Sequence, residues 1–86
     1  MQTKVTDLFL AAYISAKGGK LKELEKDNYS AKLRFFFVFE NPVDEYVKSF
    51  WANDEVPVQK FVDYVVRIRR MVLSKKSDYN NTNTNI

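Results

Sequence analysis

Lys32-Leu33-Arg34-Phe35-Phe36-Phe37-Val38-Phe39-Glu40 is the stretch on which the fold turns. Read as a strand, it sends Leu33, Phe35, Phe37 and Phe39 to one side and Arg34, Phe36, Val38 and Glu40 to the other. A half-buried strand in a small protein normally offers water a polar second face. Phe36 and Val38 occupy that face here, so a helix, a second subunit or a ligand is expected to cover it.

Working upstream, Lys20 to Lys26 carries charges on both sides of any period. Gly18-Gly19 before it and Asp27-Asn28-Tyr29-Ser30 after it mark it as a strand entering a hairpin with the aromatic strand. Its charges suit an edge position. Further upstream, Thr6 can cap a helix running to about Lys17, with Asp7 in the first turn and the glycine pair as its stop. Leu8 and Ala12, Phe9 and Tyr13, and Leu10 and Ile14 cover nearly every direction of that helix. Such a helix is buried on more than one side, which is hard to arrange inside one short chain.

Working downstream, Asn41 is placed to cap, and Pro42 to open, a second helix reaching about Asn53. Its apolar face is Val43, Tyr46, Val47, Phe50 and Trp51. The link Asp54-Glu55-Val56 leads to Pro57 and a third helix reaching about Lys76. Val58, Phe61, Val65, Ile68 and Val72 form its stripe at period 3.6. Val62, Val66 and Leu73 widen that stripe on one flank, and Tyr64 and Met71 on the other. The expected fold is therefore α+β: an N-terminal helix, a two-stranded antiparallel hairpin and two C-terminal helices. Residues 1–76 form a single compact domain, and the Asn/Thr-rich residues 77–86 are expected to be disordered.

The 86 residues contain seven Phe, five Tyr and one Trp, a large apolar load for a small core. There is no Cys and no His, which removes thiol chemistry, thiolate metal sites and the usual general base near neutral pH. The sequence therefore predicts no enzyme and no cofactor. Fourteen basic against eleven acidic residues leave a net charge of +3, which permits an acidic partner without a polybasic signature. No apolar run approaches the ~20 residues of a membrane span, so no membrane partner is expected. Lys4 followed by Leu8 to Ala16 imitates a short secretory signal, but Asp7 interrupts the approach to it. The expected location is cytoplasmic.

Leu8-x-x-Ala11-Ala12, Gly19-Lys20-Leu21, Phe37-Val38-Phe39-Glu40, Trp51, and Val56 with Phe61 to Arg69 together resemble a family of small domains encoded by bacteriophages and bacterial mobile elements, catalogued as a domain of unknown function. The resemblance covers roughly residues 4 to 74. Its motifs are mostly core positions, so it implies a phage or mobile-element origin and transfers no activity.

Gly18-Gly19-Lys20 follows a helix, whereas a phosphate loop follows a strand, so the trio is a helix stop. The carboxylates, Asp54-Glu55 included, show no ligand spacing and are simplest as solvated charges or dipole partners. Asp63 can pair with Arg67 at i, i+4. Arg69 falls among apolar positions, so it either snorkels or meets an acidic partner. Lys20, Lys22, Lys32, Arg34, Arg67, Arg70, Lys75 and Lys76 are the candidate nucleic-acid-binding residues. Lys32 and Arg34 beside Phe36 have the chemistry of a base-stacking platform, although packing is the more ordinary use of such rings. Phe36, Val62, Val66, Arg69 and Leu73 are the candidate interface, and the surplus of apolar surface points to a homodimer. The leading functional expectation is a non-catalytic, dimeric nucleic-acid-binding accessory protein. The alternative is an adapter or inhibitor of a host protein that binds no nucleic acid.

Overall fold

The structure, a computed structural model, describes residues 1–84, with side chains through Tyr79. Along the chain run β1 (Lys4–Val5), α1 (Leu8–Ala16), β2 (Leu21–Lys26), β3 (Phe35–Phe39), α2 (Asp44–Trp51) and α3 (Val58–Thr84). The class is α+β, and β2 and β3 pair antiparallel as the expected hairpin. The sheet, however, has three strands in the order β1-β3-β2, with the aromatic strand at its centre. A two-residue strand carries no periodicity to read. It forms because the free edge of β3 needs partners: the Phe39 N–H donates to the Thr3 carbonyl at 2.8 Å, and the Val43 N–H to the Gln2 carbonyl at 2.7 Å.

The strand is also shorter than its sequence pattern. The Asp27 N–H donates to the Arg34 carbonyl at 2.9 Å and closes the ladder there. Asp27 Oδ1 then accepts from the Tyr29 N–H at 3.0 Å, a local turn bond typical of Asp. Lys32, Leu33 and Arg34 therefore belong to the connection and not to β3. On β2 the register shifts between Leu21 and Glu23, which places Lys22 at an irregularity in the ladder.

Val5 and Leu24 flank Phe37 across the sheet, and these residues face the helices with Phe35 and Phe39. Helix α1 is the centre of the core. Seven consecutive residues, Leu10 to Ala16, are buried in it. It packs mainly against α3, with α2 along a second side and Phe37 and Phe39 in the same cluster. From the sequence, hiding such a helix inside one short chain looked hard to arrange. The chain does so because Ala11, Ala12 and Ala16 are small enough for neighbouring elements to approach closely.

The helix ends differ from expectation at both N-termini. Asp7, not Thr6, caps α1, its Oδ1 accepting from Phe9 N–H at 2.8 Å and Leu10 N–H at 3.1 Å. Helix α2 starts at Asp44, after Val43 rather than at Asn41-Pro42, because Val43 is drawn into the core. At the C-terminus of α1 the Gly19 N–H reaches the Ile14 carbonyl and the Gly18 N–H that of Ser15. Gly18 has φ 106°, the left-handed geometry this stop requires. Asn53, with φ 61°, performs the same role after α2: its N–H donates to Phe50 and that of Asp54 to Ser49. Helix α3 continues past Ser77, where composition suggested that order would end. Tyr79 gives the physical reason, its ring lying 5.8 Å from Phe35 and under Lys26 Nζ at 5.4 Å. The last two residues of the expected disordered tail lie outside the described residues.

Side chains of both flanking strands lie on the second face of β3. Lys4 on β1 and Glu25 on β2 pair at 3.0 Å, and Lys4 Nζ stands 5.4 Å from the Phe36 ring centroid. The two strands flanking β3 thus lay an ion pair beside the half-buried ring, and Val38 next to it is buried. This cover depends on β1, the one strand the sequence does not announce.

Candidate functional site

Apart from Phe9 on α1 and the rings of Tyr29 and Trp51, the large apolar side chains left exposed between the termini lie on α3, most of them on its outer side. Val58 is 76% exposed, Val62 and Val66 42% each, and Leu73 56%. At 100° per residue these positions and the exposed Arg69 fall within an arc of about 80°, roughly 120° around the helix from the buried Ile68. The inner stripe of Phe61, Tyr64, Val65, Ile68 and Val72 packs on the core. Helix α3 therefore carries two apolar faces, and among the described residues the inner one alone packs on the core. Trp51, expected on the inner face of α2, is exposed at the helix end with its edge against Phe50 at 5.2 Å.

Beside the outward row runs a groove of about 830 Å³ between β2 and α3. Arg67, Arg70 and Lys75 line it together with Glu23, Asp63 and Asp78, so its formal charges balance. Asp63 accepts from Gln59 Nε2 at 3.0 Å, and Arg67 lies over the Tyr64 ring at 5.0 Å, in place of the expected Asp63–Arg67 pair. Lys20 shares a second cleft with Arg67 at the far end of β2. Arg34 and Lys76 line a third, with Asp7 and Asp27. Of the candidate cations, then, Lys20, Arg67, Arg70 and Lys75 are brought together, and Arg34 and Lys76 form a separate pair. Lys22 and Lys32 are exposed on β2 and on the connection before β3.

A third cluster joins α1 to the link before α3. The buried Tyr13 hydroxyl donates to Asp54 Oδ2 at 2.6 Å, and Lys17 Nζ pairs with the same oxygen at 3.0 Å. Lys17 also donates to the Glu55 carbonyl at 3.3 Å. The Tyr13 hydroxyl, then Lys17, hold the Asp54 carboxyl below its ordinary range. Burial first, and the Asp54 carboxylate second, push the Tyr13 hydroxyl up. Asp54 is thus a structural anchor, not the solvated charge its sequence context indicated. The turn at Asn53 aims it, a signal no side-chain pattern carries. Among the described residues no group of three acidic, His or Cys side chains is placed to hold a metal ion. Nor is any helix among them long and apolar enough to cross a membrane.

The family described as "Domain of unknown function (DUF5659)" matches residues 2–74. The chain belongs to that family. Neither the curated proteins nor the solved structures contain a match to it. The DUF5659 stretch takes in all three strands, α1, α2 and the outward row of α3 from Val58 to Leu73. It stops short of Lys75, Lys76 and Tyr79.

Proposed function

We propose that this DUF5659 chain is a non-catalytic protein-interaction module that docks an amphipathic helix along the outer face of α3. The observation that supports the reading is the row Val58, Val62, Val66 and Leu73. It remains in water while the inner stripe of the same helix packs on the core, and the exposed rings Phe9, Tyr29 and Trp51 stand singly on other elements. Its spacing is that of an anchor set for helix-on-helix docking, with Asp63 and Arg70 as a polar rim. The absence of His and Cys from the sequence is consistent with a binding role. A cytoplasmic accessory role in a bacteriophage or mobile element belongs to the same proposal.

A photoreactive amino acid placed at Leu73, with Lys48 on α2 as control, tests the reading in the cells that make the protein. Protein adducts are expected at position 73 and not at position 48. Absence of protein adducts at 73 overturns the reading.

A second reading, nucleic-acid binding, draws on Arg67, Arg70 and Lys75 along the β2–α3 groove and on Lys20 in the cleft that shares Arg67 with it. It ranks second because Glu23, Asp63 and Asp78 line the same groove, and a phosphate backbone would meet both signs of charge. Salt-sensitive binding of a fluorescent oligonucleotide that weakens on Arg67→Ala and Arg70→Ala would promote it. A flat titration at low salt would remove it.

A further inference from the structure

Resting on the docking reading above, we infer that the helix received by α3 is α3 of a second copy, packed antiparallel about a two-fold axis level with Arg67 and Ile68. Val62, Val66, Arg69 and Leu73 are spaced by four, three and four residues, the a/d spacing of a two-helix seam. A two-fold antiparallel arrangement sets Val62 against Leu73 of the other copy and Val66 against Arg69, so every layer contains an aliphatic residue. The polar rim is complementary in this register. Asp63 and Arg70 are seven residues apart on the same flank of the seam. The two-fold brings Asp63 of each copy to within about two residues, ~3 Å along the axis, of Arg70 on the other. Both are exposed and line the open side of the groove.

The parallel arrangement fails on the same residues. It sets Arg69 directly against Arg69 of the second copy at one level, and it leaves Asp63 facing valines. The antiparallel two-fold separates the two Arg69 heads by about 4.5 Å along the axis and puts each within reach of the opposing Asp63. Arg69, an oddity when one chain is considered alone, thereby gains an acidic neighbour. A closed two-fold pair also buries the row on both copies without leaving a second sticky surface.

Charge reversal tests this without touching a packed residue. Asp63→Arg and Arg70→Glu, each alone, place like charges across both symmetric contacts and should weaken self-association roughly tenfold. Mixed in equal amounts, the two variants restore opposite charges at both contacts and should form a heterodimer with near wild-type affinity. Sedimentation velocity on wild type, each variant and the mixture reads all of these, with helical circular dichroism checking the fold. A wild type that stays monomeric at hundreds of micromolar overturns the inference. So does a dimer indifferent to both reversals, or two weakened variants whose mixture does not recover. If the wild type is monomeric yet position 73 still captures another protein, self-docking fails and the docking reading survives. If neither occurs, both fail.

Discussion

Replacing Phe36 and Lys4, singly and together, measures how the second face of the central strand is covered. A fully buried aromatic ring truncated to Ala costs about 3–5 kcal/mol. Phe36 is half-buried, so Phe36→Ala should cost roughly half of that, about 2 kcal/mol. Lys4→Ala removes two contacts, the approach to the ring and the pair with Glu25. The first contributes about 0.5–1 kcal/mol at an exposed site. The second adds a few tenths, since the Lys4 and Glu25 side chains are 47% and 43% exposed and screened by solvent. The double variant should therefore fall short of the sum of the singles by about 0.5 kcal/mol, the part of the Lys4 contribution that needs the ring. In a domain of this size 1 kcal/mol moves the melting midpoint by roughly 4–8 °C, so urea and thermal melts of the four proteins resolve the cycle. High salt should erase the Glu25 contribution and leave most of the coupling to the ring. Strict additivity would refute the idea that Lys4 covers Phe36. If Phe36→Ala left stability unchanged but altered the sedimenting mass, the face would be an interface instead.

The remaining outcomes follow from particular contacts. Asp54 has a depressed pKa in the folded state, so its stabilisation is present above the unfolded value and lost as pH falls below about 4. Tyr13 is raised, so its contribution is present below about pH 10 and lost as pH climbs through the higher folded value. Asp54→Asn should flatten the acid limb of a stability-against-pH curve measured by urea melts, and an unchanged acid limb would contradict the anchor. Gly19→Ala should destabilise by about 1–3 kcal/mol, because its Cβ would meet Ile14 Cγ2 and stand 3.0 Å from the Ile14 carbonyl oxygen. Thermal denaturation checks this, and a neutral result would mean the chain crosses α1 less closely. Tyr79→Ala should release the last turns of α3, read as faster amide exchange beyond Ser74 with the core unaffected.

Much of the fold is written in side-chain periodicity, and what is not written there arises from backbone partnering. The alternation at Phe35 to Phe39, the glycine stop at Gly18-Gly19 and the stripe from Phe61 to Val72 each specify their element locally. Strand β1 does not, since two residues have no period. It exists because the edge of β3 offers unpaired backbone groups to whatever chain passes. Asn41-Pro42 has the composition of a helix start, yet the helix begins only after Val43, which is held by Gln2 and by the core. The all-round apolar α1 was legible as buried but not as buried by its own chain, which depends on the alanines that let α3 approach. The same correction sharpens the candidate site. Surplus apolar surface, read from sequence on α1, β3 and α3 alike, is left as a row on α3, with Phe9 exposed singly on α1.

The sedimentation-equilibrium mass of the unmodified chain over a range from low micromolar to hundreds of micromolar tests the pairing of α3 between two copies most directly. Two-fold pairing of α3 predicts a rise from the 10.1 kDa of one chain toward twice that value. It also predicts that Leu73→Glu, on the exposed row, removes the rise while the melting curve and helical signal persist. A mass that stays at one chain across the range, or a dimer that Leu73→Glu leaves intact, would contradict it.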